Sequence, residues 1–157
     1  MGYVAEMDDA LLGRLTTTYR DLHRHPELSS AEHRTAGIVA AWLGELGYEV
    51  TTGIGVTGVV GVLRHGEGPT VLLRADMDGL PVTEATGLAY ASTVDGVMHA
   101  CGHDVHVTCL LGAASELAAD RAGWSGTLVV AFQPAEETAR GAQAMVDDGL
   151  FARVPRP

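Results

Sequence analysis

Lysine is absent from this 157-residue chain: its ten basic residues are all arginine, against twenty acidic residues, and the formal charge is −10. So acidic a surface repels phosphate backbones and anionic lipid, which disfavours nucleic acid and membranes as partners, while its field suits a site that collects cations. Cysteine is scarce. Cys101 and Cys109 cannot build a disulfide framework, so a reducing cytoplasm is the expected location and each thiol is left for burial, metal binding or catalysis. No apolar run approaches the roughly 18–20 residues that a membrane span needs. The stretch Met1 to Asp9 lacks the basic start and apolar segment of a secretory signal, and Glu6 stands where a myristoylation pattern after Gly2 needs Ser or Thr. Internal repeats, low-complexity tracts and linkers are also missing, and with the length this argues for one domain.

What is present has an ordinary globular balance, 46% hydrophobic and 19% charged. Leu11, Leu12, Leu15, Tyr19 and Leu22 recur at helical spacing and predict a helix from Asp8 or Asp9 to about Arg24, stopped by Pro26. Ser29 and Glu32 form a capping-box pattern for a second helix. Ile38, Val39, Trp42, Leu43 and Leu46 are its expected buried stripe, and Gly47 follows its end. Strands are expected at Tyr48 to Thr52, Thr57 to Leu63, Thr70 to Arg74 and Gly126 to Phe132. A long loop from Asp76 to Ala100 precedes a helix from His103 to about Ala119, and a last helix runs from about Arg140 to Asp148. The alternation predicts an α/β fold with helix–sheet–helix layers, a largely parallel or mixed sheet, and chemistry on loops at strand ends.

Three clusters carry candidate chemistry. Asp76 and Asp78 follow a strand directly and can bind a hard cation or orient a histidine that does, although Asp and Gly also populate plain polar turns. His99, Cys101, His103 and His106 fall within eight residues, and Cys and His are the preferred ligands of zinc and its neighbours. A Cys-x-His pair where a loop enters a helix can aim both groups at one point, and the helix N-terminus favours the Cys101 thiolate. His99 and His106 taken singly read as structural, with His106 one turn beyond His103, and Cys109 reads as core. The third cluster, Glu136 and Glu137, also follows a strand. Adjacent carboxylates repel unless a cation or proton relieves them, and metal hydrolases divide such a pair between coordination and proton transfer. An acidic first turn of the last helix would have the same composition.

Leu22 to Ser29, Arg74 to Pro81, His99 to Asp104 and Gln133 to Glu137 resemble, in order, motifs of the amidohydrolase branch of the aminoacylase and carboxypeptidase-type metallopeptidases. The resemblance runs from about Leu11 to Leu150 and implies hydrolysis of the amide bond of N-acyl amino acids or short peptide-like substrates. It implies Cys101, His103 and Glu137 as metal ligands and Glu136 as general base in a two-metal site holding Zn, Mn, Co or Ni. Asp78 matches an Asp that holds a ligating His, and Asp76 stands where the wider clan has a His, so both, with His106, are expected to support the ligands. His23 and His25 are expected to pack and hydrogen-bond. Family chains continue through another His ligand, a lid and dimerisation domain, and a returning segment with a last His ligand. Residues 1–157 therefore read as the N-terminal portion of the catalytic domain, with no second domain. On that reading an exposed apolar sheet surface invites self-association. Two other readings stay open: a non-catalytic fragment that binds metal weakly or needs a complementing chain, and a thiol hydrolase with Cys101 as nucleophile, which leaves the Glu136–Glu137 pair unexplained.

Overall fold

The computed structural model describes residues 8–157; the readings of the signal region and of Gly2 lie outside the described residues, apart from Asp8 and Asp9. Helix α1 spans Asp9–Arg24, opened by Asp8, whose carboxylate accepts from Ala10 N, and α2 spans His33–Glu45. Strands β1 (Glu49–Ile54), β2 (Gly58–His65) and β3 (Thr70–Asp76) follow, then α3 (His103–Ala119), β4 (Gly126–Gln133) and two short helices, α4 (Gly141–Asp147) and α5 (Leu150–Arg153). The sheet order is β1-β2-β4-β3, antiparallel except for the parallel β3–β4 pair, so the expected mixed sheet is present.

Alternation along the strands divides the core. Val59, Leu63, Leu128, Val130, Phe132 and Ala75 face α1, α2 and α3, whereas Val60, Val62, Val129 and Ala131 face Met145 of α4 and Leu150 of α5. Both faces are thus covered, giving the helix–sheet–helix layering. Gly61 lets α2 approach β2: a Cβ there would lie 2.9 Å from Leu43 Cδ1 and 3.1 Å from Val130 Cγ2. No helix among the described residues is long and apolar enough to cross a membrane.

Three expectations need correction. The capping box does not form. Glu27 caps α2 instead, its two oxygens accepting from Arg34 N and Thr35 N at 2.8 Å each, while Ser29 and Glu32 turn to distant partners. Cys109 is exposed rather than core, because it lies on the side of α3 that borders an open groove with Leu12, Leu15 and Tyr19 of α1. The chain also turns once more at Gly149 into α5, whose Leu150 and the following Val154 complete the second core.

Candidate metal centre

The parallel pairing of β3 with β4 puts the C-terminal ends of both strands side by side, Asp76 opposite Gln133. The segments that leave those ends carry Asp78 and the Glu136–Glu137 pair, and α3 presents its first residue, His103, to the same place. All three sequence clusters converge there.

His103 is buried, and its Nδ1 lies 2.9 Å from the carbonyl oxygen of Asp78 and 3.2 Å from Asp78 Oδ1. A carbonyl only accepts, so Nδ1 carries the proton and a neutral ring leaves its lone pair on Nε2. That nitrogen faces Asp76 Oδ1 at 3.7 Å, Glu136 Oε2 at 3.7 Å and Glu137 Oε1 at 3.8 Å. Cys101, His103 and Glu137 bring one ligand atom each within 4.8 Å of one another. Glu137 Oε1 is buried without a hydrogen-bond partner. A lone pair, a thiol and an orphaned carboxylate oxygen gathered in this way are a donor set suited to a divalent transition metal. The two glutamates differ in setting: the Glu137 side chain is 21% exposed and that of Glu136 41%, which turns one inward and leaves the other open to solvent.

The supports are equally specific. Asp78 is fully buried and accepts four donors: Glu136 N at 3.1 Å and His103 Nδ1 on Oδ1, Glu137 N at 3.0 Å and Ser29 Oγ at 2.6 Å on Oδ2. One carboxylate therefore orients both a candidate ligand and the turn that bears the glutamate pair. Asp76 accepts from His106 Nδ1 at 2.6 Å and pairs with Arg74 at 2.9 Å. Burial acts to raise its pKa, but the His106 hydrogen bond and the Arg74 charge beside it hold it below the usual carboxylate value. His106 stacks on His103 with ring centroids 5.6 Å apart, and its half-exposed ring reaches the group only through Asp76 and that stack. Asp76, His103 and His106 form a second trio close enough for an ion, but His103 has only one free nitrogen to offer either trio.

The expectation of a favoured Cys101 thiolate is overturned. Desolvation and the facing carboxylates of Glu137, Glu136 and Asp76 push the thiol above its ordinary value.

His23 is buried between Asp104 (2.6 Å) and Glu84 (3.3 Å), and His25 Nδ1 donates to Asp21 O, so both pack and bond as expected. His99 is buried with neither ring nitrogen partnered. Sequence reasoning missed Glu32, whose side chain is fully buried beneath the Glu136 turn. Its local pattern points to helix capping, and only the fold brings residue 135 to it.

The sequence profile of peptidase family M20/M25/M40 matches residues 72–156, which carry all three clusters. This chain is an M20/M25/M40 family member. It is 49% identical over 154 residues to a hippurate hydrolase of Campylobacter jejuni, covering 98% of this chain and 39% of that protein. It is 44% identical to an N-acetylcysteine deacetylase of Bacillus subtilis, covering 92% of this chain and 38% of the relative. A crystal structure of a dinuclear metal-binding M20 peptidase from B. subtilis superposes with a TM-score of 0.87 at 43% identity, over 92% of this chain and 41% of that one. The chain thus spans about two fifths of the length of these M20 relatives.

Proposed function

We propose that this chain carries part of the catalytic centre of a metal-dependent amidohydrolase that splits N-acyl amino acids or short peptide-like amides, with Cys101, His103 and Glu137 as metal ligands and Glu136 as general base. The observation that carries the reading is the convergence of the glutamate pair on the lone-pair nitrogen of His103, with Glu137 Oε1 buried and unpartnered. A bound divalent cation supplies Lewis acidity and brings water within reach of deprotonation at neutral pH. Glu136, more exposed than its neighbour, would take a proton from the attacking water and deliver it to the leaving nitrogen, which otherwise departs as an unstable amide anion. Asp78 keeps the proton on His103 Nδ1 and fixes the backbone of both glutamates, so the base and the ligand cannot drift apart.

Metal content and hydrolysis of a panel of N-acyl amino acids, measured on the same preparations, test this. Cys101→Ala and Glu137→Ala are expected to lose the transition metal. Glu136→Gln is expected to keep it and to lose roughly 10²- to 10⁴-fold in rate. Loss of metal in Glu136→Gln, or turnover that survives chelation, contradicts the assignment. Under a second reading the same trio binds a cation, but turnover takes place only with a complementing chain. Metal retention without hydrolysis identifies that case.

A further inference from the structure

Three consecutive backbone amides, those of Ala135, Glu136 and Glu137, point at buried carboxylates from remote parts of the chain. Asp78 holds the second and third. The first donates to Glu32 Oε1 at 2.8 Å, across 103 positions of sequence, and Glu32 Oε2 accepts from the hydroxyl of Thr57. Glu32 is fully buried, and among the described residues no cation pairs with it. A carboxyl group in that setting is tolerated only where its hydrogen bonds are well made. The turn it grips is itself strained. Ala135 has φ 49°, in the left-handed region that non-glycine residues avoid, and a Cβ on Gly141 would lie 1.5 Å from the Pro134 carbonyl oxygen.

We propose that Glu32 is a positioning residue of the metal centre: by holding the Ala135 amide it locks the strained turn that sets Glu136 and Glu137 against His103. A strained turn relaxes unless something over-determines it, and Glu32 is the only side chain among the described residues that bonds the Ala135 amide. The role belongs to reach rather than charge. Glutamine keeps the length, can accept from Ala135 N, and can turn its amide NH₂ toward Thr57 Oγ, because a hydroxyl can accept as well as donate. Aspartate keeps the charge but is one methylene short of spanning Thr57 and Ala135 together. The inference rests on reading Cys101, His103 and Glu137 as cation ligands, and the test below separates the two.

The experiment measures Co²⁺ affinity and residue-resolved amide exchange in the full chain and in Glu32→Gln, Glu32→Asp and Glu32→Leu. Glu32→Gln is expected to bind Co²⁺ within about threefold of the parent. Glu32→Asp and Glu32→Leu are expected to bind roughly 10- to 100-fold more weakly, the usual cost of losing a support behind a ligand. Exchange at Ala135 should accelerate in those two while α1 and α3 stay protected. If Glu32→Leu fails to fold, the order of Gln over Asp still decides. Asp binding better than Gln, or unchanged affinity and unchanged Ala135 exchange in both, overturns the proposal, as does a uniform loss of protection along the chain. A parent chain with no Co²⁺ affinity overturns the metal-centre reading instead, and Ala135 exchange then judges Glu32 alone.

Discussion

Asp78 shows how much one side chain can organise. Its two oxygens accept four donors, which saturates the lone-pair sites of a carboxylate. Asparagine has nearly the same shape, but whichever way its amide turns, the NH₂ end meets a backbone N–H that cannot reverse. Asp78→Asn is therefore expected to cost about 1–3 kcal/mol of stability and roughly 10- to 100-fold in metal affinity, read by denaturant melts and ion titration. Val56 is the opposite case, an exposed β-branched residue at φ 87° in the turn between β1 and β2. Val56→Gly removes about 1–2 kcal/mol of left-handed strain and adds about 0.5–1 kcal/mol of chain entropy cost. A small rise in melting temperature is the expected net result. At this scale the sequence was legible wherever chemistry is rare: cysteine, histidine and paired glutamates stand out by type. Glu32 was not, since a glutamate three positions after a serine looks the same whether it caps a helix or crosses the molecule.

Elements were legible where a local signal acts alone. Pro26 and the apolar spacing bound α1, and the expected start of α3 at His103 is where the helix begins. The loop between β3 and α3 has no such signal, and its order comes from tertiary fastening to the end of α1. Arg24 Nη2 donates to Ala89 O at 2.7 Å, Thr93 N donates to Arg24 O at 2.8 Å, and His23 stands between Glu84 of the loop and Asp104 of α3. Burial alone would lower the His23 pKa, but its bonds to Asp104 and Glu84 raise it above 6.5 overall. A raised folded pKa means the protonated ring favours the folded state. That contribution is complete below the unfolded value and disappears as pH climbs through the folded one. The stability gap between the parent chain and His23→Gln should therefore narrow as pH rises above 6.5, and chemical denaturation at a series of pH values measures it.

For the whole molecule, the class of fold and its layering followed from pattern, whereas strand order did not, because pairing between remote strands leaves no local trace. One consequence of that order is β3, which among the described residues borders only β4 and carries a half-exposed Val71. Val71→Lys is expected to suppress association at high concentration without lowering stability, as followed by sedimentation and melting. A second consequence concerns the cation. An ion that binds only the folded chain adds about 2.7 kcal/mol at a hundred times its dissociation constant, which a chelator should remove as a drop of several degrees in the melting point. The last consequence is one of time. β4 is the last of the four described strands in chain order, yet it lies between β2 and β3, and the glutamate pair is attached to its end. Until residues 126–133 take their place in the middle of the sheet, Asp78 and His103 have no turn to face, and the trio of Cys101, His103 and Glu137 lacks its carboxylate. Assembly of the centre thereby reports that the sheet is closed.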